Sequence, residues 1–299
     1  MSRNILYIIN PISGTGNKTS LREVIEAKTG AAGIPFVIQT SIPGGDYSPI
    51  YPLIEEQGIT DIAIAGGDGT INQAISSLHK FKLPFGIIPC GSGNGLALSA
   101  GLSKDWEKAL DIIFQGKHQA TDAFLLNNHF ACMLCGLGFD AQVAHDFAND
   151  PNRGLTTYIK KTVSNFFTAN AYPFTIRSQG KELHTDAFFI SIANSNQFGN
   201  NFKIAPQAQL TDGLLDIVVV AKQNKISMLL QALRQVSGFN HVKTIEVLDE
   251  KSSLIYFQTE ALEIENFGYA PLHIDGDPAP TAAFFDIRII PDCFRMIYP

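Results

Sequence analysis

No stretch of this 299-residue chain stays apolar for the roughly 20 residues that a membrane-spanning helix needs. A helical membrane protein is excluded on that ground. The opening Met1-Ser2-Arg3-Asn4-Ile5 leads into an apolar run too short for a secretion signal, so a cytoplasmic location is expected. Positive charge is also in short supply. Lys and Arg number 22 against 28 Asp and Glu, a net charge of −6, so the basic face that nucleic-acid binding requires is missing. The same balance removes generic attraction to anionic bilayers, and any membrane contact must be local and apolar. Cysteine is scarce: of four, only Cys132 and Cys135 have the two-residue spacing of a metal knuckle, with no second pair and no histidine at finger spacing. They lie in the apolar run from Phe130 to Leu137, where a free thiol acts as a small hydrophobe. The seven histidines are scattered and form no ligand cluster, and no internal repeat or low-complexity segment occurs.

Glycine, by contrast, is concentrated where it can bind phosphate. Gly66-Gly67-Asp68-Gly69-Thr70 follows the apolar run Ile62–Ala65 and precedes the helix-like Ile71-Asn72-Gln73-Ala74-Ile75. Glycines there permit φ > 0 and close backbone approach, so several amides can point at one anion beside a helix N-terminus. Asp68 would repel phosphate unless it holds a metal or accepts a proton. A tight turn with Asp68 as a cap is the simpler alternative. A second such turn, Pro89-Cys90-Gly91-Ser92-Gly93-Asn94-Gly95, follows the buried strand Phe85–Ile88, and Ser92 and Asn94 could hydrogen-bond phosphate or ribose. Turns at the carboxyl ends of successive parallel strands face one crevice. A third turn, Asn10-Pro11-Ile12-Ser13-Gly14-Thr15-Gly16-Asn17-Lys18, follows Ile5–Ile9; its Lys is out of frame for a Walker A loop, which disfavours a P-loop NTPase. Lys18 offers a charge to phosphate or a solvated first-turn residue.

Residues 1–122 alternate short apolar strands near 5–9, 35–39, 61–65 and 84–88 with amphipathic helices near 18–29, 47–57, 71–80 and 104–115, the pattern of an α/β domain with a doubly wound parallel sheet. From about 123 the pattern becomes antiparallel β, with runs such as Phe174–Arg177, Ala187–Ile192, Leu215–Val220, Leu254–Phe257 and Leu262–Ile264 and helical interruptions near 140–148, 157–170 and 226–236. A second domain over 123–289 is expected, the tail near 290–299 packing back on the first. At that size roughly three quarters of the unfolded surface can be buried, enough for two domains. The helical run from Tyr158 to Phe167 reads as core-facing, or as lining a cavity for lipid tails.

Taken in order, Asn10-Pro11 to Gly14, Gly66–Asn72, Gly91–Asn94, Gly136-Leu137-Gly138-Phe139-Asp140-Ala141, Ala205-Pro206 with Asp212-Gly213-Leu214, and Asp275-Gly276-Asp277 resemble the diacylglycerol kinase catalytic superfamily over nearly the whole chain. Gly66–Thr70 alone is also similar to NAD kinases. The resemblance implies a C-terminal antiparallel β-sandwich, an active site in the cleft between domains, and an ATP- and Mg²⁺-dependent lipid kinase that phosphorylates a primary hydroxyl of a diacylglycerol-like or sphingoid-base lipid at a membrane surface. Asn10, Gly14, Gly66, Gly67, Asp68, Gly69, Thr70, Ile71, Asn72, Gly91, Ser92, Gly93 and Asn94 would bind nucleotide, with Thr40 at the end of the second strand a ribose or base contact. In related bacterial lipid kinases a structural Mg²⁺ sits on carboxylate and backbone oxygens, which map to Asp212 and the carbonyls of Gln209 and Leu214; oxygen-only ligation suits that ion. Asp122 and Asp140 either join that acidic network or orient turns.

Relatives usually read Asp-Gly-Glu where this chain has Asp275-Gly276-Asp277, and the last acid is regarded as the proton acceptor. Asp277 is one methylene shorter, so Asp275 and Asp68 compete for that role; a type I′ Asp-Gly hairpin explains the turn but not Asp277. NAD kinase, and a nucleotide- or lipid-binding regulator of weak catalytic power, are the alternatives. A homodimer is left open.

Overall fold

The computed structural model describes residues 3–14, 18–150, 155–199, 202–223 and 253–299. The helix expected at 226–236 lies outside them. In the first half strands and helices alternate: β1 (Ile5–Ile9), α1 (Lys18–Ala31), β2 (Phe36–Thr40), α2 (Tyr51–Glu56), β3 (Asp61–Gly66), α3 (Asp68–Leu78), β4 (Pro84–Pro89), α4 (Gly95–Ser99) and α5 (Trp106–Gln115). The strands pair in parallel in the order β2-β1-β3-β4. Helices cover both faces, so these strands are apolar along their length and do not alternate. Each strand feeds two cores: Leu6 and Ile8 pack with Ile71 and Ile75 of α3, while Tyr7 and Ile9 pack with Leu21 and Ile25 of α1 and Leu110 of α5. The order reverses between β1 and β3, which opens a crevice at their carboxyl ends.

The second half comprises β5 (His118–Leu126), β6 (His129–Ala131), β7 (Leu134–Gly138), α6 (Phe139–Ala148), α7 (Leu155–Thr168), β8 (Tyr172–Ser178), β9 (Lys181–Ala193), the short pair β10 (Gln197–Gly199) and β11 (Phe202–Lys203), β12 (Leu215–Ala221), β13 (Leu254–Thr259), β14 (Ala261–Asn266), β15 (Leu272–Ile274), β16 (Asp277–Ala279) and β17 (Phe284–Ile297). Its ladders are antiparallel, a β-sandwich around a core that includes Phe124, Ile176, Ile190, Ile217, Ile264 and Phe285. β17 links the halves. It pairs with β14 and β5, then runs parallel to β4 through Arg295 and Met296, opposite Pro84 and Phe85.

Cys132 and Cys135 are buried in different cores, and burial pushes both thiols well above their ordinary range. α7 packs on α6 through an edge-on Phe139–Phe166 ring pair and a hydrogen bond from Asn165 Nδ2 to Asp146 Oδ2 (2.8 Å). A cavity of about 230 Å³, with Gln142, Asn165 and Thr168 among its walls, lies beside that junction. Among the described residues no helix is long and apolar enough to cross a membrane.

Candidate active site at the carboxyl edge of the parallel sheet

The turns after β1, β3 and β4 touch one another. Asn10 Nδ2 donates to Thr70 Oγ1 (2.7 Å) across the point where strand order reverses, and Asn10 Oδ1 accepts the Ile12 N–H (3.0 Å), holding the first turn in shape. Gly14, at φ 61°, lies where a side chain would overlap the Cys90 carbonyl. A Cβ on Gly91 would come 2.6 Å from the Gly67 Cα, so the turns after β3 and β4 stack backbone on backbone. Thr40 is exposed on the same edge of the sheet, paired with Ile9.

The expectation of positive φ at the β3 turn is corrected by the structure. Gly67 is the extended N-cap of α3 (φ −95°, ψ 179°), the helix begins at Asp68 and not at Ile71, and none of Gly66, Gly67 and Gly69 is left-handed. Glycine is needed there for closeness: a Cβ on Gly66 would stand 2.7 Å from Thr70 Cβ, and one on Gly69 would overlap the Asp277 carboxylate. Ile71 faces the core. Its side chain is wholly buried and its N–H donates to the Gly67 carbonyl (3.0 Å).

Asp68 does cap a helix, though not its own. Asn94, the left-handed N-cap of α4, uses its side chain to clasp Gly91, accepting from Gly91 N and donating to Gly91 O (both 2.7 Å). The first amides of α4 are therefore left for another acceptor, and Asp68 takes Gly95 N–H at 3.1 Å and Leu96 N–H at 3.4 Å. Burial pushes the Asp68 carboxyl up to about 6, against the opposing pull of those amides, and the Asp275 charge adds to the rise.

The two acids of Asp275-Gly276-Asp277 face opposite environments. Asp275 (φ 48°) and Gly276 (φ 87°) form the two-residue turn between β15 and β16, the left-handed pair of a type I′ hairpin. Asp275 is 2% exposed: Oδ1 accepts Met133 and Leu134 N–H (both 2.9 Å), and Oδ2 accepts Cys132 N–H (2.9 Å) and Asn72 Nδ2 (2.7 Å). Both of its oxygens are thus taken up by donors of the protein itself. Through these bonds Asp275, the competing candidate for the base, ties the hairpin to α3 and to the segment Cys132–Leu134 that leads into β7. Asn72 is part of that tie, its amide nitrogen also donating to Phe130 O (3.0 Å). Asp277 is exposed and lines, with Gly69, Asn72, Gln73, His129, Phe130 and Ile274, a cavity of about 330 Å³.

The acidic group expected around Asp212 is only partly assembled. Asp122 Oδ2 accepts Gly213 N–H (2.8 Å), its Oδ1 accepts Asp292 N–H (2.8 Å), and Asp212 Oδ1 accepts Leu214 N–H (3.1 Å). Burial and the Asp122 charge raise the Asp212 carboxyl. Gln209 is exposed nearby. Asp140 is elsewhere, on α6, facing His273 at 3.4 Å. Of Lys18 the backbone alone is described, at the start of α1.

Two family models divide the chain: the diacylglycerol kinase catalytic domain matches residues 4–126, and the YegS C-terminal NAD kinase beta sandwich-like domain matches residues 134–298, more than half the chain. The chain belongs to the diacylglycerol kinase catalytic superfamily. A Mycobacterium tuberculosis protein named diacylglycerol kinase is 26% identical over 99% of this chain and 95% of its own length. A Chromohalobacter salexigens protein named "Probable lipid kinase YegS-like" is 26% identical over 88% of this chain and 85% of its own length. A crystal structure described as a diacylglycerol kinase from Bacillus anthracis superposes with a TM-score of 0.74 at 19% identity, covering 99% of this chain and 97% of that one, which shows the shared fold. As a lipid kinase the chain takes its phosphoryl group from ATP and has a lipid as acceptor.

Proposed function

We propose that the protein moves the γ-phosphoryl group of ATP to a primary hydroxyl of a diacylglycerol-like or sphingoid-base lipid at a membrane surface, with Asp277 accepting the hydroxyl proton. The observation that carries this reading is the seating of the exposed Asp277 carboxylate against Gly69, in the first turn of α3, inside the 330 Å³ cavity. Phosphoryl transfer asks for alignment and charge neutralisation more than for covalent chemistry. The touching turns at Asn10–Gly14, Gly66–Thr70 and Gly91–Asn94 supply backbone amides for the phosphates, with Thr40 toward ribose or base. Residues 1–122 are then the nucleotide half and 123–289 the lipid half, with 290–299 returning to the first. The cavity has the volume of a small headgroup site, so acyl or alkyl chains remain outside it, in the bilayer.

The carboxylates suit Mg²⁺. Asp68 is desolvated, its charge is opposed by Asp275, and it has no ion-pair partner among the described residues, which fits a cation beside the phosphates. Bound there, Mg²⁺ would neutralise phosphate charge. Asp212 with the Gln209 and Leu214 carbonyls would hold the structural ion. Asp122 serves this second group through Gly213 and leaves its own oxygens on amides.

Radiolabelled ATP offered with diacylglycerol, sphingosine, ceramide, phosphatidylglycerol or NAD tests the reading. Label in diacylglycerol or sphingosine is expected; label in NAD alone, or in no lipid, contradicts it.

A further inference from the structure

Behind the hairpin that carries Asp277 lies a buried Asp–His pair to which no role in the transfer has been given. His273 on β15 is 1% exposed and Asp140 on α6 is 7% exposed, and His273 Nε2 faces Asp140 Oδ2 at 3.4 Å. No donor in ordinary hydrogen-bond geometry reaches that Asp140 oxygen among the described residues; its Oδ1 accepts the Ala141 N–H (2.9 Å). At the other edge of the ring, Gly276 N–H donates to His273 Nδ1 (3.3 Å). An imidazole nitrogen that accepts carries no proton, so the neutral ring holds its proton on Nε2, toward the carboxylate. Gly136, directly opposite His273 in the β7–β15 ladder, makes the room. A Cβ there would overlap the Asp140 carboxylate and stand 2.5 Å from His273 Nε2. His145 anchors the same strand from α6 through Leu272 O (2.8 Å).

We propose that His273 is a positioning residue for phosphoryl transfer, its Nε2 edge facing the buried Asp140 carboxylate. By accepting the Gly276 N–H it fixes the Asp275–Gly276 peptide, one residue ahead of Asp277, and so bears on where the Asp277 carboxylate stands against Gly69. The inference rests on the reading of Asp277 as proton acceptor and adds the element that aims it. Asp275 ties the turn to the amides of Cys132, Met133 and Leu134, and His273 holds the amide that follows Asp275. Asp277 opens β16, paired with Ile274 across the hairpin, and a misplacement of a reacting group by about 1 Å can cost about 10²-fold in rate.

The two ring nitrogens can be tested apart. An asparagine at 273 places an oxygen where Nδ1 stands and retains the acceptor for Gly276; a glutamine reaches toward Asp140 and loses that acceptor. The experiment measures kcat, the KM for ATP and the melting temperature of wild type, His273→Asn, His273→Gln, Asp277→Asn and the double variant His273→Gln/Asp277→Asn. His273→Gln should lower kcat by about 10- to 100-fold with the ATP KM unchanged. His273→Asn should recover most of that loss, and the double variant should be no slower than Asp277→Asn alone. Equal losses in the two His273 variants would reduce the histidine to packing and overturn the proposal. So would an unchanged kcat in His273→Gln, or a further multiplicative fall in the double variant. Full activity in Asp277→Asn would remove the proton-acceptor reading itself, which is read independently of the His273 variants, and the proposal would go with it. Should the glutamine lower the melting temperature, Asp140→Asn repeats the measurement from the other partner, and there a fall in kcat at constant ATP KM is required.

Discussion

The glycine turns after β3 and β4 and the Asp275-Gly276-Asp277 hairpin meet at one crevice, yet glycine and aspartate play different parts in them. In the β3 and β4 turns glycine removes side chains so that Gly67 and Gly91 can stack, and Asp68 is spent partly on the amides of α4. In the hairpin glycine supplies a left-handed conformation at φ 87°, and the first aspartate is wholly given to scaffolding while the second is left to the cavity. The nucleotide side is thus built by local turns that contact each other, and the acceptor side by a turn whose shape is imposed from strands some 140 residues away in sequence, at Cys132, Met133 and Leu134. Two carboxylates two residues apart therefore have separable roles.

Asp275→Asn should break the scaffold outright. The amide oxygen can serve only one of the two pairs of donors now shared between the carboxylate oxygens, and two buried donors left facing an NH₂ group cost about 1–3 kcal/mol each. Chemical denaturation should show a loss on the order of 3 kcal/mol, with loss of activity following loss of the fold. Stability within a few tenths of a kcal/mol of wild type would mean that the hairpin holds its shape alone.

That asymmetry also marks what the sequence could reveal. The strands and helices of the first half were legible because buried parallel strands read as unbroken apolar runs and the turns between them as glycine clusters. α3 starts three residues before its sequence pattern suggests, since Gly67, Asp68 and Gly69 look like loop residues until the stacking of Gly67 on Gly91 shows why small residues are needed there. The β-rich second half was legible from the change in periodicity. The division of labour between Asp275 and Asp277 was not, because it depends on the amides of Cys132, Met133 and Leu134, and the Asp140–His273 pair depends on the β7–β15 ladder bringing Gly136 opposite His273. The Gly136-to-Asp140 motif was visible; its partner was not.

Asp68→Asn sharpens the nucleotide side of the comparison. Asp68 ionises near 3.9 in an unfolded chain and at about 6 in the fold. Between those values the folded state binds more protons than the unfolded one, so this group's contribution to stability is present at low pH and is lost as pH rises through about 6. The asparagine variant should gain stability relative to wild type between pH 4 and pH 7, in urea titrations at the two values, while its turnover is abolished. A stability difference that stays constant with pH, or activity within about threefold of wild type, contradicts the role assigned to that charge; a threefold change is about 0.7 kcal/mol in the barrier.

Asp212→Ala is expected to have the smallest effect, since this group lies outside the crevice. Added Mg²⁺ should raise the melting temperature of wild type and raise that of the variant less, as linkage requires of an ion bound only by the folded state. An identical Mg²⁺ response in both would remove the structural ion from this segment.

The single-turnover rate of phosphoryl transfer in Asp277→Asn, measured with saturating ATP and a lipid acceptor, bears most directly on the central claim that the exposed acid of the hairpin takes the proton. A fall of about 10² to 10⁴ is predicted, with the melting temperature and the affinity for ATP unchanged. A rate within about threefold of wild type, the same small barrier change of about 0.7 kcal/mol, would contradict it and return the proton to Asp68.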